Sequence, residues 1–162
     1  MKENFVLVDE PKVTGSIFTI KVDYSQDLDT VIASHGFNRR NKIICSDKFP
    51  KPPSNGVVES VVKLFDMPKN LDTGSIVRKM NLEGFVPSNI FELNFLNLYQ
   101  FSEQSIIIIA MGSEVPDNFG VKSFPCISIN KEMKGLALIW NIFDWKNPNY
   151  KFLGTKKSSR CY

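Results

Sequence analysis

The only histidine in the chain, His35, is the first residue to test for chemistry, because serine and cysteine nucleophiles are commonly activated by an imidazole. It stands between Ser34 and Gly36, where we predict that a helix ends. A histidine at such a position commonly interacts with the terminal carbonyl groups of the helix. The sequence therefore favours a structural role for His35, and we assign no catalytic residue.

The alternative is an enzyme whose site uses this histidine. A hydrolase- or transferase-like site would gather His35, Arg39, Arg40 and Asp47 from the loop-rich segment before the second long strand. In an enzyme, these side chains should converge in one concave pocket and have perturbed pKa values. In a binding module, they should spread over an open surface.

The spacing of cysteines and carboxylates gives no support to a metal site. Cys45, Cys126 and Cys161 are odd in number and widely separated, with no Cys-x-x-Cys pair. This spacing argues against a zinc module or a disulfide scaffold and for a reducing compartment. The aspartates do not follow the pattern of a calcium loop. We therefore expect no metal and no cofactor, and we expect Cys45 and Cys126 to be buried, inert thiols.

Basic residues beside aromatic rings form the clearest pattern outside the predicted core. The candidate binding residues are Arg39, Arg40, Lys42, Trp145, Lys156 and Lys157. Positive charge interleaved with stacking rings is typical of single-stranded nucleic acid binding. The net charge is only +3, however, and a solvated strand face gives the same pattern. Weak binding of single-stranded nucleic acid is therefore a further alternative.

A sheet must position these residues, and the stretch from Gln104 to Ser113 is predicted to supply its central strand. Four consecutive isoleucines, Ile106–Ile109, leave the segment without a polar face. A short, β-branched and wholly apolar run is typical of a strand that is buried on both faces. We therefore place the central strand at residues 105–112.

The remaining pattern indicates a single α+β domain over residues 1–162, with a mainly antiparallel sheet and helices packed on one side. Residues 1–14 and 157–162 should be loosely ordered. Alternating or apolar runs predict strands, and capped apolar runs predict helices. The predicted elements are strands at 16–24, 57–65, 126–129, 136–143 and 150–156; a helix begun at Ser25 or Asp27 and ended by Gly36; a helix begun at Asp72 or Thr73 and ended by Gly84; a helix at 89–100; and a surface loop at 114–124.

Short segments, in order along the chain, carry a resemblance to a known family. They are Asp23-Tyr24-Ser25, Gly36-Phe37, Phe49-Pro50 with Gly56 and Glu59, a leucine-rich helix before 106–113, and Trp145 with Tyr150-Lys151-Phe152-Leu153 and Lys156-Lys157. In these segments the chain resembles a family of small, conserved bacterial proteins with no assigned activity. It departs from that family at Gly154-Thr155, where small or branched apolar residues are expected. The resemblance implies a bacterial or phage-like cytoplasmic protein and carries over no functional residue.

The apolar runs and the N-terminal residues bear on where the protein works. Residues 1–10 are rich in charge and give no secretory signal, and the longest apolar run, Ile106–Met111, is far too short to span a membrane. We therefore expect a cytoplasmic protein with no membrane partner. Because the common catalytic patterns are absent, the sequence favours a non-enzymatic interaction module that binds a protein or another macromolecule through surface loops.

Overall fold

Strands predominate in the part of the chain that the structure describes. The structure is a computed structural model, and it describes residues 17–53, 56–66, 72–116, 118–140 and 149–157. The predictions for Trp145, Cys161 and the segments 1–14 and 158–162 concern residues outside these ranges. The strands are β1 (Ile17–Asp23), β2 (Arg39–Arg40), β3 (Val57–Phe65), β4 (Phe85–Pro87), β5 (Ile106–Ile109), β6 (Val115–Pro116), β7 (Lys122–Ile129), β8 (Lys134–Trp140) and β9 (Tyr150–Lys156). The helices are α1 (Leu28–His35), α2 (Thr73–Leu82), α3 (Ile90–Asn94) and a 3-10 helix (Leu98–Phe101).

Within the described ranges, all nine strands join one mixed sheet in the order β1-β3-β9-β5-β7-β8-β2. Strand β4 also pairs with β9, and β6 also pairs with β7. The pairs β5–β9 and β8–β2 are parallel, and the other pairs are antiparallel. Strand β5 lies in the middle of this order. The predicted central strand and the mainly antiparallel α+β fold are therefore confirmed.

The two faces of β5 belong to two separate hydrophobic clusters. Ile106 and Ile108 lie in a cluster with residues of α1 and α3, whereas Ile107 and Ile109 face a cluster that contains residues of α2. Ile107 is partly exposed, and the other three isoleucines are buried. The helices thus cover both faces of the sheet, in contrast to the predicted packing on one side. The physical reason is that a strand without a polar face needs apolar cover on each side.

The caps of α1 and α2 form where the sequence predicts them. The Asp27 carboxylate accepts a hydrogen bond from the Thr30 amide at 2.9 Å, and the Asp72 carboxylate accepts one from the Ser75 amide at 2.8 Å. Gly36 follows α1 with φ +63°, the left-handed conformation that glycine adopts without steric cost. These contacts satisfy amide and carbonyl groups that the helix ends leave unpaired.

The predicted helix at 89–100 is divided into two parts. Helix α3 ends at Asn94, and the chain turns before the 3-10 helix begins at Leu98. The Asn97 side chain accepts a hydrogen bond from the Tyr99 amide at 3.2 Å and so begins a new helical turn. Because Leu98 and Phe101 are both buried, Tyr99 between them is turned outward.

The segment predicted as a surface loop at 114–124 is partly strand. Val115 pairs with Ser123 in the β6–β7 ladder, and both residues are buried. The loop-forming residues at the centre of the segment gave all of it the pattern of a loop, so the short strand regions at its ends were not predicted. Among the described residues, no helix has the length and apolar character needed to cross a membrane.

Candidate functional site

His35 lies at the end of α1, and its ring reaches α3. The carbonyl oxygen of Asn94 is 2.5 Å from His35 Nε2, so Nε2 carries the proton that is donated. Burial lowers the pKa of His35; the bond to Asn94 acts in the opposite direction, and the charge of Lys134 lowers the pKa further. Lys134 Nζ also donates to the His35 carbonyl at 2.8 Å, at the end of the helix. The histidine therefore joins α1 to α3 and has the features of a structural residue.

Arg40 ties α1 to the loop that follows β2. One guanidinium nitrogen donates to the Asp29 carboxylate and to the Ile44 carbonyl, each at 2.8 Å. The Asp29 amide in turn donates to Ser46 Oγ at 3.0 Å. Since the ion pair is partly exposed, its contribution to stability is small, and its main effect is to set the position of the loop.

Arg39 and Asp47, which also belong to the predicted enzyme site, are exposed. None of His35, Arg39, Arg40 and Asp47 lines either of the two concavities described below. Arg40 is engaged by Asp29 and His35 by Asn94, in two separate contacts.

The predicted basic residues lie in two groups, one on the edge strand β2 and the residues after it, the other at the end of the inner strand β9. Arg39 shares a row across the sheet with Tyr150, and the row passes through β8, β7 and β5. Four strand spacings separate them, which is roughly 19 Å. Lys156 lies six residues further along β9, roughly 20 Å away in the perpendicular direction. Arg39, Arg40 and Lys42 therefore form no continuous surface with Lys156 and Lys157.

Two adjoining concavities lie beside the turn between β7 and β8, and we call them together the hairpin groove. The first, about 230 Å³, lies between residues 129–134 and the 3-10 helix with the residue that follows it; Leu98, Tyr99, Ser102 and Asn38 also line it. The second, about 380 Å³, lies between residues 103–105 and the same turn. Both are lined by Asn130, Lys131 and Glu132, so the two concavities adjoin at the turn.

Local hydrogen bonds hold each wall of the hairpin groove in place. The Asn130 side chain accepts from the amides of Glu132 and Met133 at 2.8 and 3.0 Å, and the Asn130 amide donates to the Met133 carbonyl. This is an asparagine turn around a two-residue loop. Lys134 and Asn38 are joined by two bonds of 2.8 Å. The groove therefore has walls that are ordered before any partner binds.

Tyr99 is a highly exposed aromatic residue of the hairpin groove, and its exposure could not be predicted from the sequence pattern. Its side chain is 86% exposed although it lies between buried residues. The sequence predicts one nearly all-apolar, buried helix there, and only the break at Asn97 turns Tyr99 outward. Asn97, a residue typical of helix caps, was the signal that could have indicated the break.

The Gly112-Ser113 turn after β5 has a structural role. Gly112 donates its amide to the Ser88 carbonyl at 2.7 Å, and Ser113 Oγ accepts from the Ile90 amide at 2.9 Å. The turn therefore holds the start of α3 rather than an open nucleophile.

The two cysteines in the described ranges differ in burial. Burial raises the pKa of Cys126 to about 12, whereas Cys45 is partly exposed instead of buried as predicted. Cys45 lies in a turn segment, where its carbonyl accepts from the amides of Lys48 and Phe49. Within the described part of the chain, no group of three histidine, cysteine or acidic residues is placed to hold a metal ion.

Comparisons with known proteins give no relative: no protein-family model, no curated protein and no solved structure matches the chain. The function of the protein is therefore inferred from the geometry of the chain itself.

Proposed function

We propose that the protein is a non-enzymatic interaction module that binds an extended segment of a protein partner in the hairpin groove. The observation that carries the proposal is the 86% exposure of Tyr99 at the rim of this groove. A large aromatic side chain on an ordered turn gives much contact area at little cost in conformational entropy. Partly buried Met133 offers an adaptable apolar contact across the groove.

The form of the groove favours an extended chain as the occupant. The two concavities lie side by side along the turn, so a ligand that fills both must be elongated. The lining combines apolar Leu98 and Ile129 with the polar groups of Asn38 and Asn130. Lys131 and Glu132 carry opposite charges, which suits a peptide of mixed character better than a strongly charged polymer.

The geometry gives less support to the two alternatives. A hydrolase or transferase would need its acid, base and binding groups around one concavity, whereas His35 and Arg40 are engaged in separate structural contacts. A nucleic acid would need a continuous basic surface, and the two basic groups are roughly 19 Å apart across the strands and roughly 20 Å apart along them. The resemblance to small bacterial proteins and the free thiols of Cys45 and Cys126 support a bacterial, cytoplasmic origin as a further proposal.

Peptide selection tests the proposed function. Random peptides displayed on phage are selected on the immobilised wild-type protein, and each recovered peptide is synthesised and titrated in solution. Tyr99→Ala should weaken binding by about tenfold or more, as expected for an aromatic anchor. Leu82→Ala is the matched control, because Leu82 is 84% exposed at the end of α2, outside the groove. Failure to recover any peptide, or equal binding by both variants, would count against the hairpin groove.

A further inference from the structure

The outer edge of strand β8 has no neighbouring strand along half of its length. All seven residues of β8 pair with β7, from Lys134 opposite Ile129 to Trp140 opposite Ser123. On its other side, β8 pairs only with the two-residue strand β2, opposite Gly135 and Leu136. Among the described residues, no strand lies beside Ala137–Trp140 on that side.

The register shows which backbone groups point toward this open edge. The Asn130 amide donates to Met133, so the bonds between β7 and β8 fall on odd-numbered residues of β8. The even-numbered residues point outward: the Lys134 carbonyl accepts from the Asn38 amide at 2.8 Å, and the Leu136 carbonyl accepts from the Asn41 amide at 2.9 Å. By the same alternation, the amides and carbonyls of Leu138 and Trp140 also point outward.

The side chains of this edge lack the features that usually prevent pairing with another strand. Exposed edges are commonly protected by charged residues, by proline or by a bulge. The stretch Gly135–Trp140 contains neither charge nor proline, and every one of its residues belongs to the β8 ladder. Trp140 is 53% exposed and lies on the same face as partly buried Leu138.

We propose that two copies of this chain associate by antiparallel pairing of β8 with the second copy's β8. The register places Leu138 opposite the second copy's Trp140, and Ile139 on the two-fold axis. The two residues of each Leu–Trp pair exchange two backbone hydrogen bonds. The two-fold axis generates two such pairs, so four bonds form in total. Each pair also joins an aliphatic and an aromatic side chain on one face.

A second copy fits this edge because the edge is complementary to itself. Each copy presents the same two amides and two carbonyls, and the stretch carries no charge that would oppose its own copy across the axis. The paired segment is only a few residues long, so its contact area is below the roughly 1,200 Å² of a standard stable interface. The dimer is therefore weak and depends on protein concentration.

Sedimentation analysis with two variants at one position tests the backbone pairing. The wild type should shift from monomer toward dimer between about 10 µM and about 1 mM, the range expected for a small interface. Leu138→Pro removes the outward amide without removing a bond to β7, since Leu138 lies opposite Pro125 in a pair that does not share hydrogen bonds. The variant should dimerise about tenfold or more weakly. Leu138→Ala is the control, because it loses the same side chain and keeps the amide.

A cysteine cross-link tests the register. In the proposed dimer, Ile139 of one copy lies opposite Ile139 of the second copy, in a pair that shares no hydrogen bonds. The two Cα atoms of such a pair are about 4.5 Å apart, a distance that a disulfide can bridge. Ile139→Cys, in a background with Cys45→Ser and Cys161→Ser, should form a covalent dimer under mild oxidation. Ala137→Cys is the control, because its two copies would be about 13 Å apart, too far for a disulfide.

The outcomes separate the proposal from its competitors. A monomer at every concentration, or equal dimerisation of Leu138→Pro and Leu138→Ala with both variants folded, overturns it. Cross-linking of Ala137→Cys as fast as Ile139→Cys overturns the register. None of the substituted residues, Ala137, Leu138 and Ile139, lines the hairpin groove. Peptide binding at Tyr99 can therefore fail while dimerisation succeeds, and dimerisation can fail while peptide binding succeeds.

Discussion

At the scale of single residues, burial decides how His35 responds to pH. Burial lowers its pKa in the folded protein below the ordinary value of 6.5. A group with a depressed folded pKa contributes stability that is present above pH 6.5 and is lost as the pH falls from there through the folded pKa. The chain has one histidine, so its titration is seen in a single set of imidazole NMR signals.

We therefore predict that the protein loses stability as the pH falls below about 6.5, and that part of this loss belongs to His35. The measurement is urea unfolding at several pH values for the wild type and for His35→Gln, which keeps a donor for the Asn94 carbonyl. The difference between the two free energies of unfolding should diminish toward acid pH. A difference that grows toward acid pH would contradict the assignment of a lowered pKa.

Some residue roles can be predicted from sequence because they depend on neighbours a few positions away. Asp27, Asp72 and Gly36 act as predicted, since a cap needs only its own helix terminus. The exposure of Tyr99 and the partners of Arg40 depend on residues brought near by the fold. His35 combines both cases: its place at a helix end is predictable, but its contact with Asn94 joins residues far apart in sequence.

At the scale of elements, Gly112 allows the turn after β5 to approach the segment between β4 and α3. A Cβ atom at Gly112 would lie 2.5 Å from the carbonyl oxygens of both Pro87 and Ser88. Gly112→Ala should therefore move the backbone and destabilise the protein by about 1–3 kcal/mol or more. Thermal unfolding measures this cost. Gly74→Ala, in α2, is the control, because its Cβ would make only an ordinary 3.6 Å contact and should be neutral or slightly stabilising.

A buried pair of hydroxyl groups connects the start of the α3 segment to β9. Ser88 Oγ and Thr155 Oγ1 are 2.7 Å apart, and both residues are fully buried. Thr155→Val should cost about 1–3 kcal/mol, because it leaves the Ser88 hydroxyl without this partner. The double variant Ser88→Ala with Thr155→Val should recover part of that stability. If the double variant were as unstable as the sum of the single variants, the hydroxyl pair would not be coupled.

The elements that sequence reasoning found are those with a strong periodic or apolar pattern. Strands β1, β3, β5 and β9 lie close to their predicted bounds. Strands β2 and β4 were missed because two or three residues are too few to show alternation, and their pairing partners lie far away in sequence. The predicted helix at 89–100 was too long. Its many apolar positions reflect the deep burial of two separate short helices and not of one continuous helix.

At the scale of the whole molecule, the separation of the basic groups determines how the protein meets a polyanion. Because Arg39 is on the edge strand β2 and Lys156 is at the end of β9, four strands away, a short single strand can contact only one group at a time. We predict weak binding to single-stranded DNA and RNA at low salt and no binding at physiological salt, because few phosphates are neutralised. A fluorescence titration at two salt concentrations checks this. Tight binding that persists at the higher salt would show a basic surface not apparent from these residues.

The position of β9 has a consequence for how the chain folds. Strand β9, the last strand among the described residues, lies between β3 and β5, so neither β3 nor β5 gains this neighbour until residues 150–156 are available. Its parallel partner β5 lies about forty residues earlier in the chain. Closing the loop between β5 and β9 costs conformational entropy before the contacts between the two strands can stabilise it. Folding dominated by such distant contacts is slow. During synthesis, the centre of the sheet must therefore remain open until residues 150–156 have left the ribosome, with the edges of β3 and β5 exposed to chaperones or to premature association.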